Sequence, residues 1–140
     1  MLHLFHPALV HVTVAFLVVG GIVEAFGLLR RRDVVERFGS ILVVTGTVSL
    51  LPTMLAGFLA SNSLTLPEAS VAAVDLHERF GIMTLGVFLP LLITRAWGRG
   101  RVPDGARAFY VAGLIAGVLL TGTVAFLGGR LVYAFGVGVR

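Results

Sequence analysis

At 140 residues the chain is one domain's worth, and 57% hydrophobic against 13% charged residues, with a mean hydropathy of +1.00, leaves too little polar surface for a soluble monomer. A soluble enzyme, an extended nucleic-acid binder and a disordered tail each need more charge or polarity, so all three are disfavoured and no nucleic-acid partner is expected. The net charge of +4 rests on Arg without any Lys, and the absence of Cys excludes disulfides, thiolate metal sites, iron–sulfur ligation and covalently attached haem.

Four apolar stretches, 8–29, 38–60, 79–97 and 108–128, each reach the roughly 20 helical residues that cross a hydrocarbon core about 30 Å thick. The first lacks a basic leader and is followed by Arg30, Arg31 and Arg32, which predicts an uncleaved helix rather than a signal peptide. Pro7 suits its first turn, leaving His6 near the N-cap. Glu24 lies inside this span, where it either snorkels toward the arginines or makes an interhelical or proton-carrying contact. In the second stretch, Thr45, Thr47, Ser49 and Thr53 imply no pore, because such hydroxyls bond their own i−4 carbonyls. Pro52 and Pro90 predict kinks in the second and third spans.

Thr65, Pro67 and Glu68 read as a capping box that opens an interfacial helix over 66–78. Running on into the third span, it makes one rod over 66–97 with His77 near the membrane boundary. Gly98, Gly100, Pro103 and Gly105 confine the next connection to a tight turn. Gly113 and Gly117 form a GxxxG pair, and Gly39, Gly46 and Gly57 dot the second span; these serve helix packing in lipid or leave room for a flat macrocycle. No internal repeat, low-complexity run or second domain stands out.

Charge distribution supplies the topology. Eight arginines fall in two short stretches, Arg30, Arg31, Arg32, Arg37 and then Arg95, Arg99, Arg101, Arg107, which read as cytoplasmic loops. Only Arg79, Arg130 and Arg140 remain for the other face. The expectation is a single all-α domain over 1–140: a four-helix transmembrane bundle, multi-pass in a bacterial inner (cytoplasmic) membrane, with both termini on the outer, periplasmic side.

That topology gathers His3, His6, His11 and His77 at the outer end. His11 is the leading candidate ligand, since an ionisable group about one turn inside a span is costly and has a reason to be there. His77 is its natural partner, because Ala73 and Gly81 at i−4 and i+4 leave its helix face open to a flat ligand such as haem. His6 and His11 stand about 140° apart around a helix, so they do not form a compact i, i+4 zinc pair. Asp75 and Glu78 flank His77, either as solvated acids or as groups that orient its ring. The inner half has no His and only Met54 and Met83 as deep alternatives, which disfavours a two-haem relay across the membrane. No nucleophile–base pair or phosphate loop supports hydrolytic chemistry, and whether the chain is an enzyme is open.

The opening His6-Pro7-Ala8-Leu9-Val10-His11 and the tail Gly128-Gly129-Arg130-Leu131-Val132-Tyr133, then Gly136-Val137-Gly138-Val139, resemble the signature of the membrane protein family called domain of unknown function 2231. The likeness runs over essentially the whole chain. It implies a four-helix membrane protein similar to the di-haem b-type cytochromes, with His6, His11 and His77 at the motif histidines. Family members often carry Pro in the first motif and a His in the tail, where this chain has Val12-Thr13 and Phe135; the resemblance therefore implies one haem b, held by His11 and His77, rather than two. Arg79 and Arg130 would neutralise its propionates.

Two functions follow. One is electron transfer by a b-type haem near the periplasmic face, exchanging with quinol or another redox partner. The other is a cofactor-free accessory subunit that packs its Gly-rich faces against other membrane subunits. Metal binding or transport has the fewest residues behind it.

Overall fold

The computed structural model describes residues 2–63 and 66–138, with side chains from residue 6 onward. Four helices follow one another: α1 (Leu2–Arg30), α2 (Asp33–Ser63), α3 (Val71–Trp97) and α4 (Arg107–Tyr133), with 3₁₀ turns Glu68–Ser70 and Asp104–Ala106 leading into α3 and α4. All four are long and apolar enough to span a membrane. Each exceeds the stretch expected for it. The first helix begins before Pro7, which therefore sits inside α1 instead of at its start. The predicted rod over 66–97 begins at Val71 instead, after a 3₁₀ turn capped at Pro67; Thr65 of the expected capping box lies outside the described residues.

Both turns at the arginine-rich end are closed in the same way. Arg31 and Arg99 adopt left-handed backbone (φ 52° and 53°), and the next residue's N–H reaches back to the preceding helix, from Arg32 to Gly27 and from Gly100 to Arg95, each at 2.9 Å. These are Schellman closures that satisfy helix-terminal carbonyls. The short connections make successive helices antiparallel, so α1 runs parallel to α3 and α2 to α4. Around the bundle, α1 packs on α2 and α4, while α3 packs on α4 and α2; α1 and α3 are diagonal.

The glycines decide how near the helices come. A Cβ on Gly39 would strike the backbone of Glu24, and one on Gly27 the backbone of Glu36, so α1 and α2 approach to backbone contact. Further along, Gly46 faces Leu17, while across the bundle Gly113 faces Leu91 and Gly117 takes the ring of Phe88. The space these glycines leave is filled by side chains.

Leu17, Leu28, Val43, Phe88, Tyr110 and Leu114 form the interior. Outward faces are apolar too, with Leu29, Ile41, Phe58, Leu119 and Phe126 well exposed, as lipid requires. Trp97 and Phe109 at one end and Tyr133 at the other are exposed aromatics at helix ends, where membrane–water interfaces favour them. The expected back-bonding occurs at Thr45, Thr47 and Thr53, and also at Thr84, Thr94, Thr121 and Thr123, each donating to the carbonyl four residues earlier; Ser49 instead donates three residues back, to Gly46.

Candidate functional site

Polar chemistry concentrates at the two ends of the bundle. At the end opposite the arginine-rich turns, His6 of α1 donates from Nδ1 to the Thr53 carbonyl of α2 at 2.9 Å. His77 of α3 donates from Nδ1 to the Val124 carbonyl of α4 at 3.2 Å. A carbonyl only accepts, so each ring carries a proton on Nδ1, and in the neutral imidazole the lone pair is left on Nε2. Each ring also lies over a glycine: a Cβ on Gly57 would come within 2.7 Å of His6, and one on Gly128 within 3.1 Å of His77. Glycine is what lets the imidazole settle against the neighbouring helix. Both rings lie at this end of the bundle, on the diagonal helices α1 and α3.

The imidazole that shares this bonding with His77 is that of His6, and not that of His11. The side chain of His11 is exposed on the outer surface of α1, and its Nδ1 is satisfied by the Pro7 carbonyl of the same helix. The reason is rotational: five residues separate the two, so the turn that brings His6 inward carries His11 outward. The side chain of His3 lies outside the described residues. Asp75 pairs with Arg79 at 3.0 Å, both largely exposed, and Glu78 accepts from Ser61 at 2.8 Å. Neither acid orients the His77 ring; the Val124 carbonyl does. Arg130 is exposed on α4.

Toward the arginine-rich turns lies a buried charge cluster to which every helix contributes. Glu24 (α1) is fully buried and its Oε1 accepts from Arg95 Nη2 (α3) at 2.5 Å and from the Tyr110 hydroxyl (α4) at 2.9 Å. Arg95 Nη2 also donates to Glu36 Oε1 (α2) at 3.0 Å, and its Nη1 to the Gly100 carbonyl at 2.7 Å. Its guanidinium lies 5.7 Å from the centroid of the Tyr110 ring. So Glu24 makes the interhelical contact rather than snorkelling. Arg95, expected in a loop, is an interior residue of α3. A carboxylate in hydrocarbon is tolerable only with a cation and hydrogen bonds around it, and the guanidinium supplies both. Spacing along the chain could not reveal a pair 71 positions apart.

Comparison with known sequences agrees with this architecture. The family described as predicted membrane protein (DUF2231) matches residues 2–140. The chain belongs to that family. No curated protein and no solved structure gives a match. For this DUF2231 protein the family assignment establishes a membrane protein of unknown function, so a reading of its chemistry rests on the two clusters. Of these, the histidine end has groups left over to bind something, and the charge cluster mostly satisfies itself.

Proposed function

We propose that the protein is a b-type haem protein of the bacterial cytoplasmic membrane that takes part in electron transfer near the periplasmic face, with both termini on that side. The observation that carries this reading is the pair of imidazoles on the diagonal helices α1 and α3, each tied by Nδ1–H to a carbonyl of the next helix. Such a second bond fixes the tautomer and the ring plane, and raises the basicity of the remaining nitrogen toward iron. The donor set fits haem b, since two neutral imidazoles need no Cys and no carboxylate. His6 takes the role first given to His11. Arg79 and Arg130, both exposed, are available to neutralise propionates.

When bound, haem supplies one-electron chemistry; the chain's residues hold and orient it. The test is the absorption spectrum of the purified protein. A Soret band that disappears in His6→Ala and in His77→Ala, and persists in His11→Ala, is the expected result. A colourless protein that co-purifies with other membrane subunits overturns it and favours a cofactor-free accessory subunit.

A further inference from the structure

The separations within the two ends repeat. His6 and Thr53 are 47 residues apart, and so are His77 and Val124. Sliding the chain on itself by 71 positions (77 minus 6) superposes much more than this pair. Buried Thr13 falls on buried Thr84. Leu17 against Gly46 falls on Phe88 against Gly117, and His6 over Gly57 falls on His77 over Gly128. Asp33, which opens α2, falls on Asp104, which leads into α4. The same shift serves both helices of each hairpin, and only the turn closures at Arg31 and Arg99 fall three positions out of register. The α1–α2 hairpin thus matches the α3–α4 hairpin, with parallel equivalents and an axis running along the bundle, as in membrane proteins built from parallel repeats.

The same shift sets Glu24 on Arg95 and Glu36 on Arg107. One hairpin carries two acids where the other carries two bases. The two-fold relation also turns the Glu36–Arg95 contact into a contact between Arg107 and Glu24. Among the described residues, the buried side-chain polar atoms lacking a partner are Glu24 Oε2 and Arg107 Nε, and Arg107 already reaches α1 through its Nη1 at 3.5 Å from the Leu28 carbonyl. The atoms left over are those that symmetry would join.

We propose that the chain is a tandem duplication of one helical hairpin, and that its halves select each other through a charge ring in which Glu24 and Glu36 of the first face Arg95 and Arg107 of the second, with Arg107 closing on Glu24. The ring is neutral as a whole and takes one side chain from each helix. Its logic is that of opposite charges specifying a heterotypic partner: two copies of the first hairpin would bury acids against acids, and two of the second bases against bases. The partner that this interior face fits is the complementary half of this chain. The inference stands independently of haem.

The full chain in detergent tests it, with the recovery of monodisperse protein and its thermal unfolding as readouts. Glu24→Arg and Arg95→Glu each set like charges together and should lose most of the folded protein. The fourfold exchange Glu24→Arg, Arg95→Glu, Glu36→Arg and Arg107→Glu should recover most of that loss, because it trades both two-fold equivalent pairs and keeps every side of the ring between opposite charges. A fourfold variant no better than the worse single one overturns the pairing. For the fourth side of the ring, Arg107→Gln should lower the unfolding temperature in the wild type and have little effect in a Glu24→Gln background; equal effects in both overturn that contact. Exchanging Leu17→Phe with Phe88→Leu probes the duplication without any charge. Retention of the fold supports it, and a loss as large as the sum of the single changes counts against it.

Discussion

The two polar ends use one pair of diagonal helices in opposite ways. At the histidine end α1 and α3 present identical imidazoles, each donating to a carbonyl on the adjacent helix. At the arginine end they present unlike charges that satisfy each other. A neutral pair tied to the backbone keeps its second nitrogens available, whereas an ion pair consumes its own binding capacity. The first arrangement is suited to holding a ligand, and the second to holding helices.

The strongest way to break this contrast is at the charged end. Arg95→Leu strands Glu24 in the interior, and removing one partner of a buried pair costs about 3–5 kcal/mol. Replacing both partners by Leu should cost far less, which comparison of thermal unfolding for the single and double variants would measure. If the double variant were as unstable as the single, charge pairing would not be what Arg95 contributes. Next in size, Gly39→Val forces a side chain into the backbone of Glu24 and should cost about 1–3 kcal/mol through overpacking, read by the same melts. Tyr110→Phe keeps the ring beneath Arg95 and deletes one hydrogen bond to the carboxylate, so a loss of roughly 1.5–3 kcal/mol is the ceiling. The smallest effect sharpens the other side of the contrast. His11→Ala touches an exposed ring and should move stability by no more than about 0.5 kcal/mol, leaving whatever His6 and His77 bind undisturbed, as ligand spectra of the three variants would show.

Much of the fold was legible because lipid imposes simple rules. Apolar length alone located four spans, and Gly98, Gly100 and Pro103 marked the tight turn. Span ends are short by up to six residues, at Leu2 against an expected start of 8, since a helix continues past the hydrocarbon edge while hydropathy does not; the rod expected from 66 is long by five, because α3 starts at Val71. The site was harder. Depth in the span favours His11 over His6, a criterion blind to which way the helix is turned; the ring that turns to the neighbouring helix, as that of His77 does, is that of His6. Arginine density alone groups Arg95 with the loop arginines, although the expected span 79–97 already contains it; α3 runs through Trp97 and holds it inside. The repeat escaped notice for a similar reason. Its matched positions are mostly different residues, Leu for Phe or Glu for Arg, and only their common neighbours make them equivalent.

The sequence by itself determined that this is a membrane protein with four helices long and apolar enough to span the bilayer, because hydropathy and charge counts are properties of segments. Which histidine faces the interior, where Glu24 finds its counter-ion and how two hairpins mirror each other were decided only by the tertiary structure. Those outcomes depend on the rotation of each helix about its axis, and that rotation is set by glycine contacts between residues far apart in the chain.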